Sequence, residues 1–235
     1  MRAPAALFGA FFALACASDP VNGPGDGAPN AGSPGPSDTS NPPPALSGDF
    51  APAQAYPAGP YGHGVGAVIE NLEFIGWREP AAANYDPTLL EHVRLGDFYD
   101  PSGTQTELLV LNASAVWCVV CQGEMRDMKT NDTYAAYRAR KVQVLGTLFE
   151  DAKSNPAQPS DLVIWGSSTA RAIAFPLVLD PALKMGVYFT SDATPLNLVI
   201  DARTMRILDV MMGYDPTPGS GMWGRVDGLL RARGL

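Results

Sequence analysis

An apolar strand that leads into two cysteines three residues apart is the feature that most constrains how this chain folds. Residues 107–112 read ELLVLN and predict a buried strand, whereas residues 122–141 contain few helix breakers and predict a helix that begins at or just before Cys121. Cys118 and Cys121 therefore lie where a strand passes into a helix. A cysteine pair in that position can alternate between a dithiol and a disulfide, so the pattern favours thiol–disulfide chemistry.

The two cysteines are expected to play different parts in such chemistry. Cys118 lies at the predicted helix N-terminus, where free backbone amides and the positive end of the helix dipole stabilise a thiolate. Because the thiolate is the nucleophile, we expect Cys118 to attack a partner. Cys121 lies about one helical turn further in and is expected to be less exposed, which places it to resolve the mixed disulfide.

Two other uses of the cysteine pair remain open. A Cys-x-x-Cys motif is also half of a zinc site, but zinc needs four ligands. The third cysteine of the chain is Cys16, and both histidines, His63 and His92, lie upstream without ligand-like spacing. The pair could instead be a static disulfide, although closing so small a loop contributes little entropy. Both alternatives are weaker than a redox-active pair, and we predict no metal site.

The cysteines belong to a longer motif. Residues 109–124 read LVLNASAVWCVVCQGE, and FPLVLD at 175–180 and ATPLNLVID at 193–201 follow downstream. The first segment resembles the active site of TlpA/ResA-type thioredoxin-fold proteins of the redoxin superfamily, whose usual form is roughly VVLNFWATWCxxCxxE. The two later segments look like later strands of the same family, and the resemblance covers about residues 65 to 234. It implies a thioredoxin-like fold and thiol–disulfide oxidoreductase activity.

The resemblance also implies roles for individual residues. Thr194-Pro195 falls where the family carries its cis-proline, so the Thr194 backbone is expected to pair with an extended substrate segment. Trp117 is expected to frame the nucleophile. Asn112 stands where thioredoxins often carry a buried aspartate, so Glu124 is the candidate to accept or relay the proton of Cys121. The expected catalytic residues are therefore Cys118, Cys121 and Glu124, and the expected substrate-binding residues are Trp117, Thr194 and Pro195.

Three of these residues have structural alternatives. Glu124 could be an ordinary first-turn glutamate that complements the helix dipole, Pro195 a proline that begins a strand, and Trp117 a core residue. The chain also departs from the family pattern, because Ala113 and Ser114 replace an aromatic pair and should loosen the packing beneath the cysteines. The Val-Val dipeptide between the cysteines should shield the sulfurs with apolar surface.

The order of predicted elements indicates an α/β fold for residues 61–235. We expect one domain with a central mixed sheet flanked by helices, and an N-terminal strand or hairpin extension within residues 65–77, followed by a loop-rich stretch to Pro101. The predicted strands span residues 107–112, 142–149, 176–180, 196–201 and 205–211, and the predicted helices span residues 121–140, 160–173 and 219–232.

The first 60 residues differ in composition from the rest. Residues 1–17 contain an apolar run too short to span a bilayer and predict a signal peptide. The sequence ALAC at 13–16 resembles a bacterial lipoprotein cleavage box that would lipidate Cys16, with an ordinary cleavage after Ala15 or Ala17 as the alternative. Residues 18–60 hold 11 of the 22 prolines and predict a disordered linker, although residues 49–61 could pack on the domain as an arm.

The charge of the chain limits its partners. A net charge of −8 without a basic cluster argues against nucleic acid and against electrostatic binding to an anionic membrane. We expect protein disulfides or dithiols as substrates, an upstream redox partner, no cofactor and a monomeric state. The signal sequence predicts export to the periplasm, with the membrane anchor supplied by a lipid on Cys16.

Electron exchange between the Cys118/Cys121 dithiol and disulfides of partner proteins is the predicted function, and two alternatives remain. A thiol peroxidase of the AhpC/TSA kind shares the fold, but its active site resembles Pro-x-x-x-Thr-x-x-Cys, and Ala115 stands three residues before Cys118. A Sco-like copper-binding protein uses two cysteines separated by three residues and a later histidine, whereas no histidine follows His92.

Overall fold

The computed structural model describes residues 55–235. The predicted signal peptide, Cys16 and the predicted linker as far as residue 54 lie outside the described residues. Within the described part, seven strands form one sheet: β1 (Glu73–Trp77), β2 (Glu91–Arg94), β3 (Leu108–Ala115), β4 (Val142–Glu150), β5 (Leu177–Leu179), β6 (Leu196–Asp201) and β7 (Arg206–Met212). The α-helices of the same part are α1 (Val119–Thr130), α2 (Thr133–Arg138), α3 (Pro159–Ser167) and α4 (Gly221–Ala232).

The sheet is mixed, as predicted. Its strand order is β2-β1-β5-β4-β3-β6-β7, with β3, β4 and β5 parallel and the remaining neighbours antiparallel. Every residue of β3 and all but the last of β4 are buried. Central strands covered on both faces are mostly apolar, which explains why these two strands could be predicted from the sequence. Helices flank this sheet, as the alternation of elements predicted.

Two of the predicted helices were too long. The helix expected over residues 121–140 is two helices, because the chain breaks at Asn131 and Asp132, and Asp132 has a left-handed backbone with φ 50°. Aspartate and asparagine tolerate that conformation better than most residues, so the break costs little there. The helix expected over residues 160–173 ends at Ser167, after which the chain turns towards β5.

The N-terminal extension is a pair of antiparallel strands, β1 and β2, and β2 lies in the stretch predicted to be loop-rich. Only Val93 of β2 is buried, which explains why this short polar strand was missed. Before β1, Val68 forms an isolated β-bridge with Arg206, the first residue of β7. The Tyr56 hydroxyl donates to the Ile69 carbonyl at 2.9 Å, so the end of the segment predicted as linker lies against the domain.

The topology brings two distant segments together at one end of the sheet. The chain leaves β3 at Ala115 and enters α1 four residues later, while β6 begins directly after Pro195. β3 and β6 are neighbouring antiparallel strands, with Asn112 opposite Asn197. The end of β3 therefore lies beside the beginning of β6, and the cysteine motif meets the Thr194-Pro195 segment there.

Candidate active site

Cys118 and Cys121 form a disulfide at the N-terminus of α1, with their Cα atoms 5.2 Å apart. Cys118 is the N-cap residue, and its sulfur accepts a hydrogen bond from the Cys121 backbone N–H at 3.0 Å. A cap of this kind satisfies one of the amides that lack a partner in the first turn of a helix. The expected position of Cys118 at a helix N-terminus is confirmed, and α1 begins at Val119.

Both cysteine residues are buried in this oxidised form. Cys118 is 3% exposed and Cys121 is fully buried. The side chains around them are apolar and open to solvent, since Val119 is 74%, Val120 47% and Trp117 42% exposed. A partner that reaches the Cys118 sulfur must therefore displace water from this apolar rim, which consists of Trp117, Val119 and Val120.

The Thr194 side chain also contacts the Cys118 sulfur. The Thr194 hydroxyl donates to Cys118 Sγ at 3.2 Å, and the Thr194–Pro195 peptide bond is cis. The Pro195 carbonyl accepts from the Gly213 N–H at 2.7 Å, which ties this turn to the chain that follows β7. The family resemblance predicted a role for the Thr194 backbone beside the cysteines, but it did not predict the contact between the Thr194 side chain and the sulfur.

Trp117 lies outside the core. Its indole Nε1–H donates to Glu150 Oε2 at 2.6 Å, and the Val116 N–H donates to the Glu150 carbonyl at 2.9 Å. Glu150 ends β4, so the carboxyl end of that strand fixes the residue that precedes Cys118. The exposed indole next to Cys118 is compatible with a framing role and does not support the core alternative.

A buried polar cluster lies beneath the disulfide. Glu124 is fully buried on α1, and it accepts from Asn112 Nδ2 at 2.7 Å through one oxygen and from Asn197 Nδ2 at 2.9 Å through the other. Asn112 Nδ2 also donates to Asn197 Oδ1 at 2.9 Å, and the Ser114 hydroxyl donates to Asn112 Oδ1 at 2.7 Å. We call Ser114, Asn112, Asn197 and Glu124 the amide–carboxylate cluster. Glu124 is thus not an exposed first-turn glutamate.

Burial raises the pKa of Glu124 to about 7, and the hydrogen bonds from Asn197 and Asn112 oppose that rise because they stabilise the carboxylate. Glu124 follows Cys121 by three residues, so both side chains project from the same face of α1. A buried carboxyl group that titrates near neutral pH can accept or donate a proton there. Its position and its raised pKa make Glu124 suitable for proton exchange with Cys121.

Two members of the site, Asn197 and Glu150, were missed from the sequence, and Ser114 was noticed only as the replacement of an aromatic residue. Asn112 was noticed only as the replacement of an aspartate. The signal that could have revealed the cluster is a buried amide in the middle of two apolar strands, since buried polar side chains need partners. Asn112 follows the apolar run LLVL within β3 and Asn197 is the second residue of LNLVI, but only the register of β3 with β6 places them opposite each other.

The histidines do not join this site. His92 lies on β2 at the far edge of the sheet, where its Nδ1 contacts Glu73 Oε1 at 2.5 Å, and His63 packs edge-on against Tyr188. Among residues 55–235, no group of three or more His, Cys, Asp or Glu side chains has a geometry suited to a metal ion. In the same part of the chain, no helix has both the length and the apolar character needed to cross a bilayer.

Comparisons with known proteins support the fold. No protein-family model and no curated protein sequence matches the chain. A Chlorobium tepidum protein, described provisionally as thiol:disulfide interchange protein DsbE, is similar in structure with a TM-score of 0.54 and 18% identity, over 72% of this chain and 99% of that chain. This likeness establishes a thioredoxin-like fold, as expected from the sequence.

Two further structures are similar at a lower level. Enterococcus faecalis AhpC matches with a TM-score of 0.49 and 13% identity, over 72% of this chain and 92% of that chain. The exposed lipoprotein thioredoxin Etrx1 from Streptococcus pneumoniae strain TIGR4 matches with a TM-score of 0.48 and 16% identity, over 69% of this chain and 99% of that chain. Both scores lie below 0.5, so neither likeness adds to the fold assignment.

Proposed function

We propose that this chain is an exported thiol–disulfide oxidoreductase whose Cys118/Cys121 pair exchanges electrons with disulfides of partner proteins. The observation that carries the proposal is the placement of the pair. The disulfide caps the N-terminus of α1, has the Thr194 hydroxyl against one sulfur, and lies one helical turn from the buried carboxyl group of Glu124. Each of these features serves a thiolate or a proton, and a static bridge needs none of them.

The reductive direction proceeds in two exchanges. In the dithiol form, the Cys118 thiolate attacks one sulfur of the partner's disulfide; a Cys118–partner bond forms and the partner's second sulfur leaves as a thiolate, which takes up a proton. Cys121 then attacks the Cys118 sulfur, the intramolecular disulfide forms, and the first partner sulfur leaves. Two electrons pass to the partner, whose disulfide becomes a dithiol, while the Cys118/Cys121 pair is oxidised.

Three parts of the site support these steps. The Cys121 N–H and the Thr194 hydroxyl both donate to Cys118 Sγ, and the same donors would stabilise its thiolate. The Glu124 carboxylate would accept the Cys121 proton as Cys121 attacks. The apolar rim of Trp117, Val119 and Val120 would receive an extended segment of the partner alongside Thr194 and Pro195, with Trp117 framing the nucleophile.

The pair must be returned to its starting state by a second redox partner. A dithiol of another protein would reduce the Cys118/Cys121 disulfide if this chain works as a reductant, and the same steps run in reverse if it works as an oxidant. The compartment alone does not fix the direction, because both kinds of protein operate outside the cytosol. We propose protein dithiols or disulfides for both partners, and a monomer as the working form.

Export and lipidation are proposed from the sequence of residues 1–17. A lipid on Cys16 would attach the chain to a membrane facing the periplasm, and the proline-rich segment that follows would hold residues 61–235 away from the surface. The test is fractionation of cells that express the chain or its Cys16→Ser variant. The chain is expected in the membrane fraction and the variant in the soluble periplasmic fraction, and an identical distribution of both contradicts lipidation.

Replacing each cysteine tests the redox function. Cys118→Ser is expected to abolish the reduction of a protein disulfide by dithiothreitol through this chain, whereas Cys121→Ser should trap Cys118–partner disulfides that a reducing agent releases. Turnover in the Cys118→Ser variant would overturn the assignment. Consumption of hydrogen peroxide by the wild type without disulfide exchange would instead indicate a thiol peroxidase.

A further inference from the structure

The amide–carboxylate cluster links three elements through side chains alone. Ser114 and Asn112 lie on β3, Asn197 lies on β6 and Glu124 lies on α1, and all four are at least 97% buried. We propose that Asn112 and Asn197, with Ser114 behind them, are positioning residues that hold the Glu124 carboxylate ready to take the proton of Cys121. The inference deepens the proposed function and rests on it.

Glu124 is held by both of its oxygens. Asn112 donates to Oε2 at 2.7 Å and Asn197 donates to Oε1 at 2.9 Å, and the third bond of the ring joins the two amides at 2.9 Å. A carboxylate fixed at both oxygens cannot rotate about its last torsion without losing a bond. The two donors come from paired positions of neighbouring strands, so the sheet itself sets the distance between them.

Ser114 sets the direction in which Asn112 points. Its hydroxyl donates to Asn112 Oδ1 at 2.7 Å, which leaves the Asn112 amino group directed at Glu124 and Asn197. Both hydrogens of that amino group are then used. Every polar side-chain atom of the cluster has a partner, and a fully satisfied buried network is rigid.

The amides also balance the effect of burial on the charge of Glu124. Desolvation favours the protonated form, whereas two N–H donors favour the carboxylate. Only the carboxylate can accept a proton from Cys121. Without the donors, burial would raise the pKa of Glu124 further and leave less carboxylate to act as the base.

Few other titratable groups of the described residues lie near the carboxyl group. On α1, Asp127 follows Glu124 by three residues, and the segment after β7 contributes Tyr214, whose hydroxyl donates to Asp127 Oδ2 at 2.8 Å. The Cys118/Cys121 pair titrates only when its disulfide is reduced. Burial and the hydrogen bond to Asp127 raise the pKa of Tyr214, and the charges of Asp127 and Glu124 add to the rise. β3 and β6 present only the uncharged groups of the cluster to Glu124. The two amides are thus the direct hydrogen-bond donors to the carboxylate in the described part of the chain.

In the mixed disulfide, the Cys121 thiol gives its proton to the Glu124 carboxylate as Cys121 Sγ forms a bond to Cys118 Sγ. The bond between Cys118 and the partner sulfur breaks, and the partner leaves with the electron pair of that bond. Glu124 is left protonated, and it returns the proton when the reverse exchange regenerates the Cys121 thiol.

The test follows the titration of Glu124 itself. The full chain, oxidised and labelled with ¹³C at the glutamate carboxyl groups, is titrated by NMR, and the Glu124 signal is identified by its loss in Glu124→Gln. Asn197→Leu, which is close in size and lacks the donor, is expected to raise the pKa of Glu124 by about one unit, a tenfold change in the dissociation constant. Ser114→Ala should raise it in the same direction by less.

Thr147→Val is the matched control. Thr147 is buried on β4, and within the described residues its hydroxyl has no hydrogen-bond partner. This variant removes a buried hydroxyl outside the cluster, and the Glu124 titration is expected to stay unchanged. If Asn197→Leu does not fold, Asn197→Ser and Ser114→Ala carry the measurement.

Exchange kinetics provide a second readout that a structural role would not move. Asn197→Leu should raise the pH midpoint of the rate at which Cys121 resolves the mixed disulfide, by the same amount as it raises the pKa of Glu124. In a Glu124→Gln background it should have no such effect, because Asn197 acts through Glu124. An unchanged Glu124 titration in folded Asn197 and Ser114 variants overturns the inference. Because the titration needs no exchange partner, it can succeed even if the Cys118→Ser test refutes the proposed function.

Discussion

Replacing Glu124 should change how the stability of the protein depends on pH. Burial raises the pKa of Glu124 from 4.5 to about 7 in the folded chain, so the folded state binds the proton more tightly than the unfolded state. Below pH 4.5 both states are protonated. Between pH 4.5 and about 7 the unfolded state loses its proton first, and the free energy of unfolding therefore falls as the pH rises.

The magnitude follows from the two pKa values. A rise in the pKa from 4.5 to about 7 corresponds to about 3 kcal/mol of stabilisation of the folded state. This stabilisation is fully lost above the folded-state pKa. Glu124→Gln cannot titrate at this position. The free energy of unfolding of the variant minus that of the wild type should therefore increase by about 3 kcal/mol between about pH 4 and about pH 8. With a urea m-value of about 2 kcal/mol per molar, the relative midpoint moves by about 1.5 M.

Urea unfolding at a series of pH values measures this difference, with the Cys118–Cys121 disulfide intact so that neither thiol titrates. Glu79→Gln, at an exposed glutamate, is the control for a change of one charge. Taking differences from the wild type removes the contributions of carboxylates whose pKa is lowered by hydrogen bonds, among them Asp86 and Asp151. A difference for Glu124→Gln that stays flat from about pH 4 to about pH 8 refutes the reasoning.

Two further predictions concern the nucleophile and the core. Thr194→Val removes the hydroxyl that donates to Cys118 Sγ at 3.2 Å, and it should slow alkylation of the reduced Cys118 near pH 6 about fivefold, equivalent to about 1 kcal/mol. Thr204→Val, which changes a threonine in an exposed turn, is the control and should leave the rate unchanged. Equal alkylation rates in the two variants would argue against the hydrogen bond from Thr194 to the sulfur. Trp165→Ala deletes a 2% exposed core side chain and should lower the free energy of unfolding by about 3–5 kcal/mol in urea denaturation, and a loss below about 1 kcal/mol contradicts its place in the core.

The sequence predicted the central strands well because their burial appears directly in their composition. β6 was placed at residues 196–201 and β4 differs by one residue at its end, since both are largely apolar segments bounded by polar residues. The break between α1 and α2 was missed. Residues 122–141 read as one helix because no glycine or proline near Asp132 marks the left-handed turn that interrupts this segment.

The candidate site likewise contains residues that could be predicted from the sequence and residues that could not. Cys118, Cys121 and Glu124 lie within seven consecutive residues, so the helical period was enough to place the cysteines near the carboxyl group. Asn197 is 85 residues from Asn112, and only the pairing of β3 with β6 reveals the bond between them. Contacts of this kind depend on strand register, which a single sequence with two apolar strands does not determine.

The most direct test of the central claim is the redox equilibrium of the Cys118/Cys121 pair. The full chain is equilibrated with glutathione or dithiothreitol buffers of increasing reducing strength, and the free thiols are then alkylated and counted. One reversible two-electron transition is expected, between the values of about −120 mV for a strong oxidant and about −270 mV for a thioredoxin-like reductant. A pair that shows no reversible transition in these buffers would contradict the claim and leave the disulfide a structural bridge.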